Sequence, residues 1–198
     1  MITDIEQLDL NKRYTYADYL TWQFDEMVEL IRGKVFRMSP APNEAHQWVS
    51  INLLQEILPF FKGRDCRVYH APFDVRLSLP PQKQKGDKLD TVVQPDICVV
   101  CDLKKLDSSG CTGAPDWIIE ILSKGTASKD LNEKFDLYQH AGVKEYWIVH
   151  PHEATVLAYR LNEEGRYEAL RATPFSSEEK VPVGVFPGFE VDLKEVWT

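Results

Sequence analysis

The sequence has no excess of positive charge. Its 23 lysines and arginines stand against 31 aspartates and glutamates, a formal net charge of −8. That excludes a protein whose whole surface grips nucleic acid, while an enzyme needing only a local basic rim stays compatible with it. No run approaches the roughly 18 apolar residues of a membrane-spanning helix. The opening Met1-Ile-Thr-Asp-Ile-Glu-Gln7 lacks the basic region and apolar core of a signal peptide, so a cytoplasmic protein is expected. Cysteine is scarce, with four in 198 residues. Without a secretory leader, these thiols are expected to be reduced. Cys98 and Cys101 form a Cys-x-x-Cys, but three positions apart on a strand they face opposite sides, and no second pair at a usual spacing completes a zinc site. Ordinary buried cysteines are the better reading. His140, His150 and His152 have no ligand spacing, and His46, at a helix start, is placed where it can approach a site but reads more readily as a capping or surface residue. Internal repeats and low-complexity segments are absent too.

What is present fits one soluble domain spanning residues 1–198, with 43% hydrophobic and 27% charged residues. A chain of this length buries enough surface to build a core without staples. Tyr16, Tyr19, Leu20, Phe24, Met27 and Leu30 follow helical spacing, predicting an amphipathic helix over 15–31 capped by Thr15. Gly33 ends it, and residues 34–38 resume as a strand. Residues 39–43 read as a turn, and a second helix is predicted from Glu44 or His46 to about Phe61. Strand-like stretches follow at 66–79, 92–101 and 117–122. Between the first two lies Pro80–Lys88, the most loop-like segment; it carries Lys83, Lys85 and Lys88 and reads as a solvated hairpin tip in preference to a substrate-contacting flap. A helix over 129–140, capped by Ser128 and ended by Gly142, leads to strands at 145–150 and 155–160. Short strands follow around 166–170, Val181 and Phe189. Strand, helix, strand at 117–150 implies a parallel pair beside antiparallel hairpins, hence a mixed sheet.

Two carboxylates stand out against this background. Asp96 lies in Val-Val-Gln-Pro-Asp-Ile-Cys-Val-Val and Glu120 in Asp-Trp-Ile-Ile-Glu-Ile-Leu-Ser, both strongly β-forming apolar segments. A charge there is costly unless paired, and two carboxylates on adjacent strands are a simple way to hold a divalent metal. Lys129, Lys134 and Tyr138 follow on the next helix, so a cation can lean over the same point. Acid, acid and lysine on such a frame suit metal-assisted phosphodiester hydrolysis. The bland alternatives are a turn cap for Asp96, a structural pairing for Glu120 and a surface role for Lys134. Trp117, Tyr146 and Trp147 sit in core-strand patterns and read as packing.

The motifs also occur in a particular order. Glu29-Leu-Ile-Arg-Gly33-x-Val, Met38-Ser-Pro40, His46, Pro95-Asp96 and Glu120-Ile-Leu-Ser123 are followed by Asp130-x-x-x-Lys134-x-x-x-Tyr138 and Gly142-Val-x-Glu145-Tyr-Trp-Ile-Val149. Together, over about residues 15–190, they resemble the Uma2 (DUF820) family, regarded as a branch of the PD-(D/E)XK restriction-endonuclease-like nucleases. The resemblance implies an α/β fold with a mixed central β-sheet flanked by helices. It implies a metal-dependent endonuclease acting on DNA, with Asp96 and Glu120 as ligands of Mg²⁺ or Mn²⁺. The superfamily lysine would fall at position 122, which here is Leu122; Lys134 matches the position to which it has migrated in similar sequences. Glu29, placed on the first helix, resembles an accessory acid. After Ser123, where the family has proline, this chain has Lys124-Gly125, which makes Lys124 a second candidate for the cation. The rival reading is a catalytically silent binding module with the same fold. A homodimer would suit two cuts on a duplex, and Asp96→Ala is expected to abolish metal binding while raising thermal stability.

Overall fold

The computed structural model describes residues 2–38, 43–79, 89–123 and 130–198. The turn at 39–42, the basic loop Pro80–Lys88, Lys124-Gly125, and the Ser128 cap with Lys129 lie outside the described residues.

In chain order the helices are α1 (Tyr16–Tyr19), α2 (Glu44–Phe61), α3 (Phe135–Ala141), preceded by a π-helical turn at Asp130–Lys134, and α4 (Leu193–Val196). The strands are β1 (Val28–Ile31), β2 (Lys34–Arg37), β3 (Arg67–His70), β4 (Val75–Arg76), β5 (Val92–Val93), β6 (Ile97–Val100), β7 (Leu106–Asp107) and β8 (Gly110–Thr112). They continue with β9 (Trp117–Ile121), β10 (Glu145–His150), β11 (Thr155–Leu161), β12 (Tyr167–Ala169), β13 (Phe175–Ser176), β14 (Lys180–Pro182) and β15 (Glu190–Asp192). The fold is mixed α/β. One sheet runs β12-β11-β10-β9-β6-β3, with β13 also on β11, and a second runs β2-β1-β5-β4-β8-β7. The expected parallel pair is β9 with β10, and the other neighbours in the first sheet are antiparallel.

Alternation along β9 divides the core. Trp117, Ile119 and Ile121 pack with Val49, Leu53, Ile57 and Phe61 of α2 on one face. Ile118 and Leu122 pack with Leu137 and Tyr138 of α3 on the other. Helix α2 forms because Asn43 caps it, its side chain accepting the His46 N–H at 2.9 Å, and because its buried residues recur every four positions.

The helix predicted over 15–31 lasts one turn. Thr15 does cap it, in a reciprocal capping box with Asp18. Beyond Tyr19, tertiary packing overrides the helical spacing. Tyr16, Tyr19, Trp22 and Phe24 stack among themselves over β1, while Leu20 and Met27, which a helix would bury, are exposed. Val28–Ile31, buried at all four positions, pairs with β2 through a turn in which Arg32 and Gly33 have φ of 51° and 80°. Glycine suits that second position: a Cβ on Gly33 would sit 3.0 Å from Arg13 Cβ.

Two further expectations are corrected. The single strand over 92–101 is two strands in different sheets, β5 and β6, with the chain crossing between the sheets at Gln94–Asp96. The cysteines are not all reduced: Cys66, just before β3, is disulfide-bonded to Cys101, just after β6. Cys98 faces the α3 side and Cys101 the α2 side, so Cys-x-x-Cys is no zinc half-site. Among the described residues, no helix is long and apolar enough to cross a membrane.

Candidate active site

The crossing point between the sheets is where the charged residues gather. Asp96 occupies a bend immediately before β6 rather than a position within a strand. The β6–β9 register pairs Ile97 with Ile119, so one step further Asp96 stands across from Glu120. The two strand ends are tied directly: Asp96 Oδ2 accepts the Ile121 N–H at 2.7 Å.

Glu120 points toward α3, as its place between Ile118 and Leu122 requires. Its Oε1 accepts from Lys134 Nζ at 2.8 Å and from the Tyr138 hydroxyl at 2.6 Å. Lys134 and Tyr138 are four residues apart, one helical turn, so both reach the same carboxylate. Burial, and then the neighbouring Glu120 charge, push the Tyr138 hydroxyl well above its ordinary pKa, so it stays a donor. Lys134 Nζ also lies 2.9 Å from Glu29 Oε1, which accepts the Gln94 N–H at 3.1 Å. Glu29, Glu120 and Lys134 are all buried, at 1%, 3% and 4% exposure. A buried charge at such depth is tolerable only when paired, and here one ammonium joins two carboxylates. Glu29 is therefore in the cluster as expected, but β1 delivers it, not a first helix.

Asp96 sits on the more open side, with about 20% of its side chain exposed, and its Oδ1 lies 3.2 Å from His46 Nε2. His46 is in the first turn of α2 and buried, which corrects its reading as a capping or surface residue. The sequence signals for it were its position at a helix start and its place in the motif order. Asp96 is also better anchored than an unpaired buried charge. Asp96→Ala would lose a bond to the β9 backbone and the contact with His46, which argues for a cost in stability rather than the gain expected from the sequence.

Among the described residues, no three His, Cys, Asp or Glu side chains converge to hold a metal ion. Mg²⁺ characteristically takes one or two carboxylates and keeps several waters, and Asp96, in the bend before β6, and Glu120 on β9 supply carboxylate oxygens of the hard kind that it takes. Lys124 lies outside the described residues; Lys134 is the cation that the structure brings to the acids.

The sequence matches the Uma2 family, described as "Putative restriction endonuclease", over residues 16–194. This chain belongs to the Uma2 family. It is 23% identical over 179 residues to the "Uncharacterized protein slr1290" of Synechocystis sp., covering 89% of this chain and 88% of that protein. The fold is similar, with a TM-score of 0.69 and 22% identity, to a crystal structure from Anabaena variabilis described as "a putative nuclease belonging to DUF820". That likeness covers 93% of this chain and 97% of the other. At this identity the structural likeness establishes the fold, which is restriction-endonuclease-like.

Proposed function

We propose that this Uma2 protein is a metal-dependent endonuclease that hydrolyses DNA phosphodiester bonds. The observation that carries the reading is the convergence of Glu29 and Glu120 on Lys134, with Asp96 opposite Glu120 at the adjoining strand end. Asp96 and Glu120 are the residues that would hold Mg²⁺ or Mn²⁺. When bound, such an ion lowers the pKa of a coordinated water and neutralises charge on the phosphoryl oxygens. The chain's own side chains supply positioning. Ile121 N–H and His46 fix Asp96; Tyr138 fixes Glu120 and keeps its Oε1 turned toward α3. Lys134, held between two acids, offers a localised positive charge for the phosphate or the attacking water. The two acids more than balance that charge before substrate arrives, and the ammonium, already buried among them, need not be desolvated anew in each turnover.

A silent binding module is the second reading. It is favoured by the net charge of −8 and by the ion pairs that already engage Lys134. Nicking of supercoiled plasmid with Mg²⁺ or Mn²⁺, for wild type, Asp96→Asn and Glu120→Gln, separates the two. Metal-dependent nicking lost in both variants is the expected result. No nicking, together with no heat of Mn²⁺ binding to the wild type, would leave the silent module standing.

A further inference from the structure

Helix α2 carries a second apolar face that its packing does not use. Trp48, Ile51 and Leu58 are 50%, 48% and 49% exposed. At about 100° per residue, Glu44, Trp48, Ile51, Gln55, Leu58 and Lys62 fall within an arc about 80° wide, opposite the buried stripe of Val49, Leu53 and Ile57. Three bulky apolar residues within three turns on one exposed stripe form a patch rather than scattered exposure. The Trp48 indole is held in place, its N–H donating to the Thr198 carbonyl at 3.0 Å. At the other end, Leu58 borders a shallow hollow formed with Pro59, Phe61, Lys62 and Val68.

The stripe is self-complementary in a particular sense. It is acidic at its start, Glu44, neutral and apolar through its middle, and basic at its end, Lys62, with Arg64 just beyond. A two-fold axis through the level of residue 53 would set Trp48 against Leu58 of a second copy, beside its hollow. It would also set Ile51 against Gln55 and Glu44 against Lys62. The parallel arrangement would instead oppose like charges at both ends.

We infer that this face of α2 is the contact surface of a symmetric dimer of this chain, with the two helices antiparallel. The charge pattern selects a second copy over a uniformly acidic or basic partner, because either would be repelled at one end of the stripe. His46 lies in the first turn of α2, so this dimer keeps the two Asp96–His46 pairs roughly 20 Å or more apart along the helix direction. The centres do not face each other across the interface.

Sedimentation velocity from low to high micromolar protein tests the inference, with circular dichroism melts on every sample. The wild type should dimerise, and Leu58→Glu should be monomeric with a cooperative melt that matches the wild type at the lowest concentration. Lys62→Glu should weaken dimerisation by about tenfold, and adding Glu44→Lys should restore it. Both charge positions are exposed, so this pair carries the test if Leu58→Glu proves misfolded. A wild type that is monomeric throughout would overturn the inference. So would a dimer indifferent to Leu58→Glu, or a charge exchange that fails to restore association.

Discussion

Lys134 is the side chain on which most depends, because two buried acids share it. Lys134→Met keeps the length and removes the charge, leaving Glu29 and Glu120 to face each other without it. Stability should fall by about 3–5 kcal/mol, as when one partner of a buried ion pair is removed. The deficit should shrink as the pH is lowered, because the two carboxyls can then take up protons instead. Urea denaturation at neutral and at acidic pH checks this, and plasmid nicking by the same variant should be lost. At this scale the sequence was informative wherever an ionisable group interrupted an apolar strand. Glu120 among isoleucines could hardly be anything but a paired charge. His46 gave no such sign, since it lies on a helix with polar neighbours and its partner is 50 residues away. Glu29 was named by resemblance while its element was misread, because a four-residue strand is too short to reveal a period.

Among the elements, those with purely local causes were legible. Helix α2 has a cap, a four-residue repeat and a glycine after it. The stretch from β9 through α3 to β11 reads directly as strand, helix, strand, strand. The segment after Thr15 misled because its aromatics happen to recur at helical intervals while packing on one another. The split between β5 and β6 was invisible because Gln94–Asp96 changes sheets without a turn signature strong enough to break an apolar run. The connector from β12 to β14 illustrates local chemistry that pattern does not show. Arg171 grips both oxygens of Glu179, at 2.6 and 2.8 Å, and lies over the Phe175 ring. The Arg171 bonds, aided by the backbone and hydroxyl of Ser176, lower the Glu179 pKa from 4.5 to about 2. A depressed carboxyl stabilises the fold above its unfolded pKa and loses that contribution as pH falls through the folded one. Glu179→Gln should therefore flatten the decline in melting temperature between about pH 4.5 and pH 2 relative to wild type. Parallel acid melts would show it, and identical slopes would rule it out.

For the molecule as a whole, the Cys66–Cys101 bond joins the far ends of β3 and β6, away from Asp96. It closes a separation of 35 positions, and by loop entropy its loss should cost roughly 3–4 kcal/mol. Reductant should lower the urea midpoint of the wild type and leave a Cys66→Ser, Cys101→Ser variant unmoved. This pairing was unreadable from cysteine spacing, because it depends on two strands that become neighbours only in the sheet. The same holds for the charged cluster. Glu29 comes from one sheet, Glu120 from the other, and Lys134 and Tyr138 from the helical segment that follows. The four positions span more than half of the chain, so no short fragment can contain them all. A chain emerging from the ribosome has none of this arrangement until Tyr138 is free and both sheets have docked. Whatever chemistry the cluster performs therefore waits until the chain through Tyr138 has been made.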